Sequence, residues 1–260
     1  MCYSKVMEKS EETPDNKTQT KSVSFKTRTQ RVKAKVLGAY YGHPIKDMKL
    51  ICITGSTGKA VVAHYVHEIL NVAGHHVAVL ASDKPFSIGA LHKFLSDAWK
   101  AGATYVVVTA PADSLKNNVF FDLPVYVAAL TDFVSPSLDS PSAEEFVRDE
   151  TTVFDLNPEI VVVNQDDINY DKFAASFNGK KETITYGAKK MATLRIEKST
   201  LYKKGAEAEL SLGSNRFTVA TFVPGETSVS YMACAAAVAT ALKISPEAIA
   251  DGIGNYNPEG

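Results

Sequence analysis

Apolar residues along this chain first come in short unbroken runs, at 49–54, 77–81, 104–109, 125–130 and 159–163. Between the runs lie stretches of helical periodicity, at about 58–73, 88–101, 142–155 and 169–177. Runs rich in Val, Ile and Ala without polar alternation are what burial on both faces of a parallel sheet demands, and intervening helices supply the crossovers. Ser142-Ala143-Glu144-Glu145 reads as a capping box at the start of one helix. Beyond Tyr186-Gly187 the pattern changes. At 193–197, 206–212 and 217–223 apolar and polar residues alternate, with Lys203-Lys204-Gly205 and Gly213-Ser214-Asn215 between them as turns, which predicts an antiparallel ribbon. A small-residue helix follows over about 229–242, and Ser245-Pro246-Glu247 opens another with Ser as N-cap and Pro at the first helical position.

The sequence therefore predicts an α/β domain over 35–258, with a mainly parallel sheet flanked by helices and a small antiparallel ribbon. Residues 1–34 are almost all polar, with eight Lys or Arg spread among Ser, Thr and Gln, and read as a disordered tail. The chain of 260 residues, 45% apolar, can bury a substantial core. No run is long enough to span a bilayer and no signal-peptide core opens the chain. A net charge of −1 offers no general field for nucleic acid. The three cysteines, Cys2, Cys52 and Cys234, lack metal-ligand spacing and suit a reduced, cytoplasmic protein.

The segment with most chemistry is Lys49-Leu50-Ile51-Cys52-Ile53-Thr54-Gly55-Ser56-Thr57-Gly58-Lys59-Ala60. Strand, glycine loop and helix follow one another. That order grips phosphate: Gly55 and Gly58 let successive N–H groups turn toward one point, the helix N-terminus adds its positive end, and Lys59 adds a full charge. The expected nucleotide-binding residues are Gly55, Ser56, Thr57, Gly58, Lys59 and Ala60. Loops of this kind place Ser or Thr after the lysine, because its hydroxyl ligates the Mg²⁺ bridging the phosphates. Ala60 ligates nothing.

Thr-Gly-Ser-Thr-Gly-Lys at 54–59 resembles the loop of the Mur ligases and their folylpolyglutamate synthase relatives. Further local matches are Gly102 to Val108, Val127-Ala128-Ala129-Leu130-Thr131, Val161-Val162-Val163-Asn164-Gln165-Asp166-Asp167, and Gly225-Glu226 with the alanine-rich 233–242. Together they make the chain similar to the central ATP-binding domain of that family over roughly 36–258, closest in character to the enzymes that add the third amino acid to the UDP-muramoyl peptide. The resemblance implies a P-loop fold, ATP and Mg²⁺ as cofactors, and ATP-dependent acid–amino acid ligation in peptidoglycan precursor synthesis. It also implies an N-terminal UDP-sugar domain and a C-terminal ligase domain, and neither is expected within this chain.

The metal positions implied by the resemblance are degenerate. Thr109 stands where the family has a glutamate ending the third strand, and Asp113 is the nearest carboxylate that could substitute. Asp132 replaces the asparagine of the Asn-x-x-x-Asp-His motif, and Ser137 replaces its histidine. Glu150 falls at the carbamylated lysine and is several bonds shorter. Ser228 and Tyr231 occupy the places of two adenine-contacting asparagines, with Tyr231 offering a stacking ring. His64 and His67 lack a third ligand. Mg²⁺ prefers carboxylate oxygen, so the residues point to a degraded ligase domain, a pseudoenzyme that binds nucleotide weakly or not at all and is inactive alone. Two other readings stay open beside it: a noncatalytic binding or scaffold module, and one subunit of a split ligase whose protein partner supplies the absent domains. An unrelated P-loop phosphotransferase would lack the late ribbon.

Overall fold

The computed structural model describes residues 16–132, 148, 149, 151–177 and 182–258. Nine strands form one sheet in the order β2-β3-β1-β4-β5-β6-β7-β8-β9. The strands are β1 Lys49–Thr54, β2 Val77–Leu80, β3 Tyr105–Thr109, β4 Val125–Leu130, β5 Ile160–Asn164, β6 Glu182–Gly187, β7 Leu194–Tyr202, β8 Gly205–Leu212 and β9 Asn215–Thr221. All neighbours from β2 to β7 pair in parallel, and β7, β8 and β9 pair antiparallel. The sheet is thus mainly parallel and ends in the expected ribbon.

The helices are α1 Asn16–Tyr40, α2 Lys59–Val72, α3 Ile88–Lys100, α4 Ala112–Lys116, α5 Tyr170–Phe177, α6 Thr227–Ala241 and α7 Pro246–Asn255. Successive side chains of a strand point to opposite faces, and both faces are covered. Ile51, Ile53, Val107, Val127, Ala129 and Val162 pack into a core with α2, α6 and α7. Leu50, Cys52, Val106, Val108, Ala128 and Val161 pack into a second core with α1, α3 and α4. That division explains why the strands read as unbroken apolar runs.

Helix α6 is buried nearly all round, Ala233, Ala235, Ala236, Ala237 and Ala239 included. Small side chains let it lie close beneath the sheet. The Ser245 side chain accepts from Ala248 N, and Pro246 stands at the helix start, as the sequence predicts. At Gly252 an added β-carbon would stand 2.5 Å from Ile69 N, so α7 rests on the backbone of α2.

Three features differ from the sequence reading. Residues 16–34, expected as a disordered tail, belong to α1; residues 1–15 lie outside the described residues. The reason is packing that composition hides: Ala34 is buried, and Leu37 and Gly38 follow it on the same helical face. Strand β6 was not expected, because Glu182-Thr183-Ile184-Thr185 alternates polar with apolar although it pairs with strands on both sides. Of the helix expected over 142–155, residues 148, 149 and 151 are helical and Thr152–Leu156 forms a 3-10 turn, while the capping box lies outside the described residues.

Candidate functional site

Strand β1 stands between β3 and β4, so the chain reverses its direction of travel across the sheet around β1. In open parallel sheets the crevice beyond the carboxyl ends at such a reversal is where ligands bind. The ends of β1, β3 and β4 converge there. Thr54 Oγ1 donates to Ala110 O at 2.9 Å, and Thr131 N donates to Thr54 O at 2.9 Å.

The loop Gly55–Gly58 leaves β1 at this point and enters α2. Gly55 has φ 126° and Gly58 φ 74°, both in the region that favours glycine. The left-handed Gly58 is the N-cap of α2, with no side chain capping that end. Among the described residues, none accepts a hydrogen bond from the N–H of Thr57, Gly58, Lys59 or Ala60. The buried Lys59 side chain curls back over the loop, its Nζ donating to Gly55 O at 2.8 Å and to Ser56 O at 3.4 Å. Asp83 Oδ1 lies 3.9 Å from the same ammonium, on a largely exposed side chain.

The loop is held from beneath by residues far away in sequence. Ser56 N donates to Asp132 O at 2.9 Å, and Thr57 Oγ1 donates to Asp132 Oδ2 at 3.2 Å. Thr131 Oγ1 lies 2.6 Å from Thr57 O, and Tyr186 OH donates to Thr131 O at 2.5 Å. From α6, Ser230 Oγ donates to Asp132 Oδ1 at 3.2 Å, Asn164 Nδ2 lies 3.4 Å from Ser230 Oγ, and Tyr231 OH donates to Thr57 Oγ1 at 3.0 Å. Burial raises the Asp132 carboxyl above its ordinary value; the bonds from Ser230 and Thr57 oppose this, and the nearby Asp167 adds to it. Thr131, Ser230 and Tyr186 were not foreseen. Thr131 ends a strand that the resemblance marks, but no local signal gives any of the three a role under the loop, because they reach it only through the sheet order.

Among the described residues, the sequence-predicted metal positions Thr109 and Asp113 do not come together as a metal shell. Thr109 is fully buried, and its hydroxyl accepts from Ser82 N and donates to Ser82 O, both at 2.8 Å. It pins the segment after β2, which carries Asp83 toward Lys59. Asp113 is exposed on α4. Ser137 and Glu150 lie outside the described residues. Ser228 Oγ donates to Gly225 O at 2.6 Å and so closes the first turn of α6. The Tyr231 ring is buried against Gly58 and supports the loop, which corrects its expected role as an adenine platform. His64 stacks on Tyr256 at 5.4 Å, and His67 meets Glu68 and Asn71. Among the described residues no three His, Cys, Asp or Glu side chains are grouped to hold a metal ion. Of the described residues, those at the family's Mg²⁺ positions do not fit the ion: Ala60 has no donor atom, and the Thr109 hydroxyl is committed to Ser82.

The family model for the Mur ligase middle domain matches residues 53–239. The UDP-N-acetylmuramoyl-L-alanyl-D-glutamate–2,6-diaminopimelate ligase of Clostridium tetani is 25% identical over 232 residues, covering 83% of this chain and 47% of that protein. The chain spans about half the length of the curated relatives it matches. Among solved structures, one of a ligase of that same name superposes with a TM-score of 0.78 at 18% identity, covering 89% of this chain and 50% of the other. The MurF ligase of Thermotoga maritima in complex with ADP superposes with a TM-score of 0.63 at 16% identity, covering 86% and 52%. Both superpositions establish the fold.

Proposed function

The chain belongs to the Mur ligase middle-domain family, and on that premise we propose that it is a nucleotide-binding module whose loop holds phosphate without a family-type metal shell. The observation that carries this reading is the pairing of two states at one place. The N–H groups of Thr57 to Ala60 have no acceptor among the described residues and sit at the start of α2 beside Lys59, while the positions that would hold Mg²⁺ are an alanine and a hydroxyl bound to Ser82. An anion is thus recognised by backbone dipoles and one ammonium.

In this reading Ser56, Thr57, Gly58, Lys59 and Ala60 contact phosphate oxygens, and Gly55 supplies the turn. Without the metal, charge moving onto the phosphates is left largely uncompensated. The chain by itself therefore binds ATP weakly and makes no amide bond. If it serves ligation in peptidoglycan precursor synthesis, it does so in the cytoplasm as the nucleotide-holding part, together with a protein partner. A noncatalytic scaffold role is favoured by a separate observation: Ser56 N and the Thr57 hydroxyl are already spent on Asp132.

Calorimetric titration of ATP, with and without Mg²⁺, into the wild type and Lys59→Met tests the proposal. Weak binding that needs Lys59 and is insensitive to Mg²⁺ is expected. Tight binding that requires Mg²⁺ would overturn it.

A further inference from the structure

Helix α1 has two apolar faces. One, with Ala34, Leu37 and Gly38, packs toward α3, and Arg31 is drawn onto the fold with its guanidinium 4.9 Å from the Phe121 ring centroid. On the opposite side Val32, Val36 and Tyr40 succeed one another every fourth residue and are 57%, 61% and 79% exposed. Spacing by four keeps side chains on one face. Arg28 and Lys35 border this stripe on one edge and Lys33 on the other, all exposed. Residues 16–46 carry eight Lys or Arg and no Asp or Glu, in a chain whose net charge is −1.

We propose that α1 lies on an anionic lipid surface, with Val32, Val36 and Tyr40 at the boundary of headgroups and acyl chains and Arg28, Lys33 and Lys35 against lipid phosphates. An apolar stripe between two cationic edges is the layout of an interfacial helix, and a terminal tyrosine suits headgroup depth. The helix lies on the surface; among the described residues no helix is long and apolar enough to cross a membrane. Other occupants fit less well. A second copy would set these cations against their own kind, and three side chains fall far short of the roughly 1,000 Å² that a stable protein interface needs.

The full chain is sedimented with phosphatidylcholine vesicles, either pure or containing about one-third phosphatidylglycerol. Binding to the anionic vesicles alone, lost at high salt, is expected. Each cation near such a surface is worth about fivefold in partitioning, so Lys33→Gln with Lys35→Gln should weaken it about thirtyfold. Val32→Ser with Val36→Ser should weaken it at least about tenfold. Both pairs face away from α3, so they should leave the melting temperature and ATP titration unchanged, which keeps this inference separable from the nucleotide reading. No binding by the wild type, equal binding to neutral vesicles, binding that survives both pairs, or a drop in melting temperature would overturn it. So would self-association or capture of an acidic protein through Val32 and Val36 without vesicle binding.

Discussion

The ring of Tyr231 lies on the backbone of Gly58, so near that a β-carbon at residue 58 would stand 2.5 Å from the ring's Cδ1 and Cζ. The Gly55–Gly58 loop is therefore shaped by a residue of α6, 173 positions after Gly58. Gly58 is required twice over, once for its φ of 74° and once for the ring.

Gly58→Ala should destabilise the chain by more than the about 1–2 kcal/mol that a left-handed alanine costs alone. Placed in a Tyr231→Ala background, the same substitution should fall back toward that figure. Chemical denaturation of the four proteins in the cycle measures the coupling. Independent, additive effects would show that ring and loop do not bear on each other.

Thr109 acts through its hydroxyl on the fold. Thr109→Val keeps the shape and leaves Ser82 N and Ser82 O without their partner, so a loss of about 1–3 kcal/mol is expected, whereas Thr109→Ser should retain most of the stability. Thr109→Glu, the change that would restore a family-type carboxylate, should unfold this corner instead of creating a metal ligand. Equal stability of the valine variant and the wild type would refute the structural role.

Asp132 sets a pH dependence. Its carboxyl is raised in the folded chain, so across the window from the ordinary carboxylate value of about 3.9 up to the folded value the native state holds the extra proton, and stability falls as pH rises. At neutral pH the buried charge weighs against the fold. Asp132→Asn removes it and can still accept from one hydroxyl and donate to another, so the variant should be at least as stable at pH 7. The difference between the two proteins, followed by denaturation, should vanish below about pH 3.9. An advantage that grows on acidification would contradict this sign.

Asp83 and Lys59 should act in opposite directions on anion binding. Removing the exposed Asp83 carboxylate, 3.9 Å from the Lys59 ammonium, should strengthen binding of inorganic pyrophosphate up to about fivefold, the range of an exposed ion pair. Lys59→Met should abolish it. Titration calorimetry reads both; weaker binding by Asp83→Ala would mean that Asp83 positions the loop.

Much of this fold could be read from residue patterns, because burial on both faces leaves a plain mark in strands such as Val106-Val107-Val108. The Thr-Gly-Ser-Thr-Gly-Lys loop and the Ser245-Pro246 helix start were equally legible, since each depends on local backbone chemistry. Strand β6 was not. Thr183 and Thr185 disguise it, and Thr185 bonds to Thr193 at the entrance to β7. Nor could the sequence show that Thr109 is spent on Ser82, or that Thr131 and Asp132 underlie the loop, because those contacts exist only once β3 and β4 flank β1. Helix α1 was hidden by its polar composition, which masks the few small residues that seat it.

Gly252 lies on Ile69 backbone to backbone, with no flexible side chain between α7 and α2 to absorb a displacement. The two helices are therefore in direct register at this point, and α2 begins at Lys59. A side chain at residue 252 would have to part α7 from the very helix whose first turn closes the Gly55–Gly58 loop, so that one missing β-carbon fixes how near α7 can come to the loop's helix.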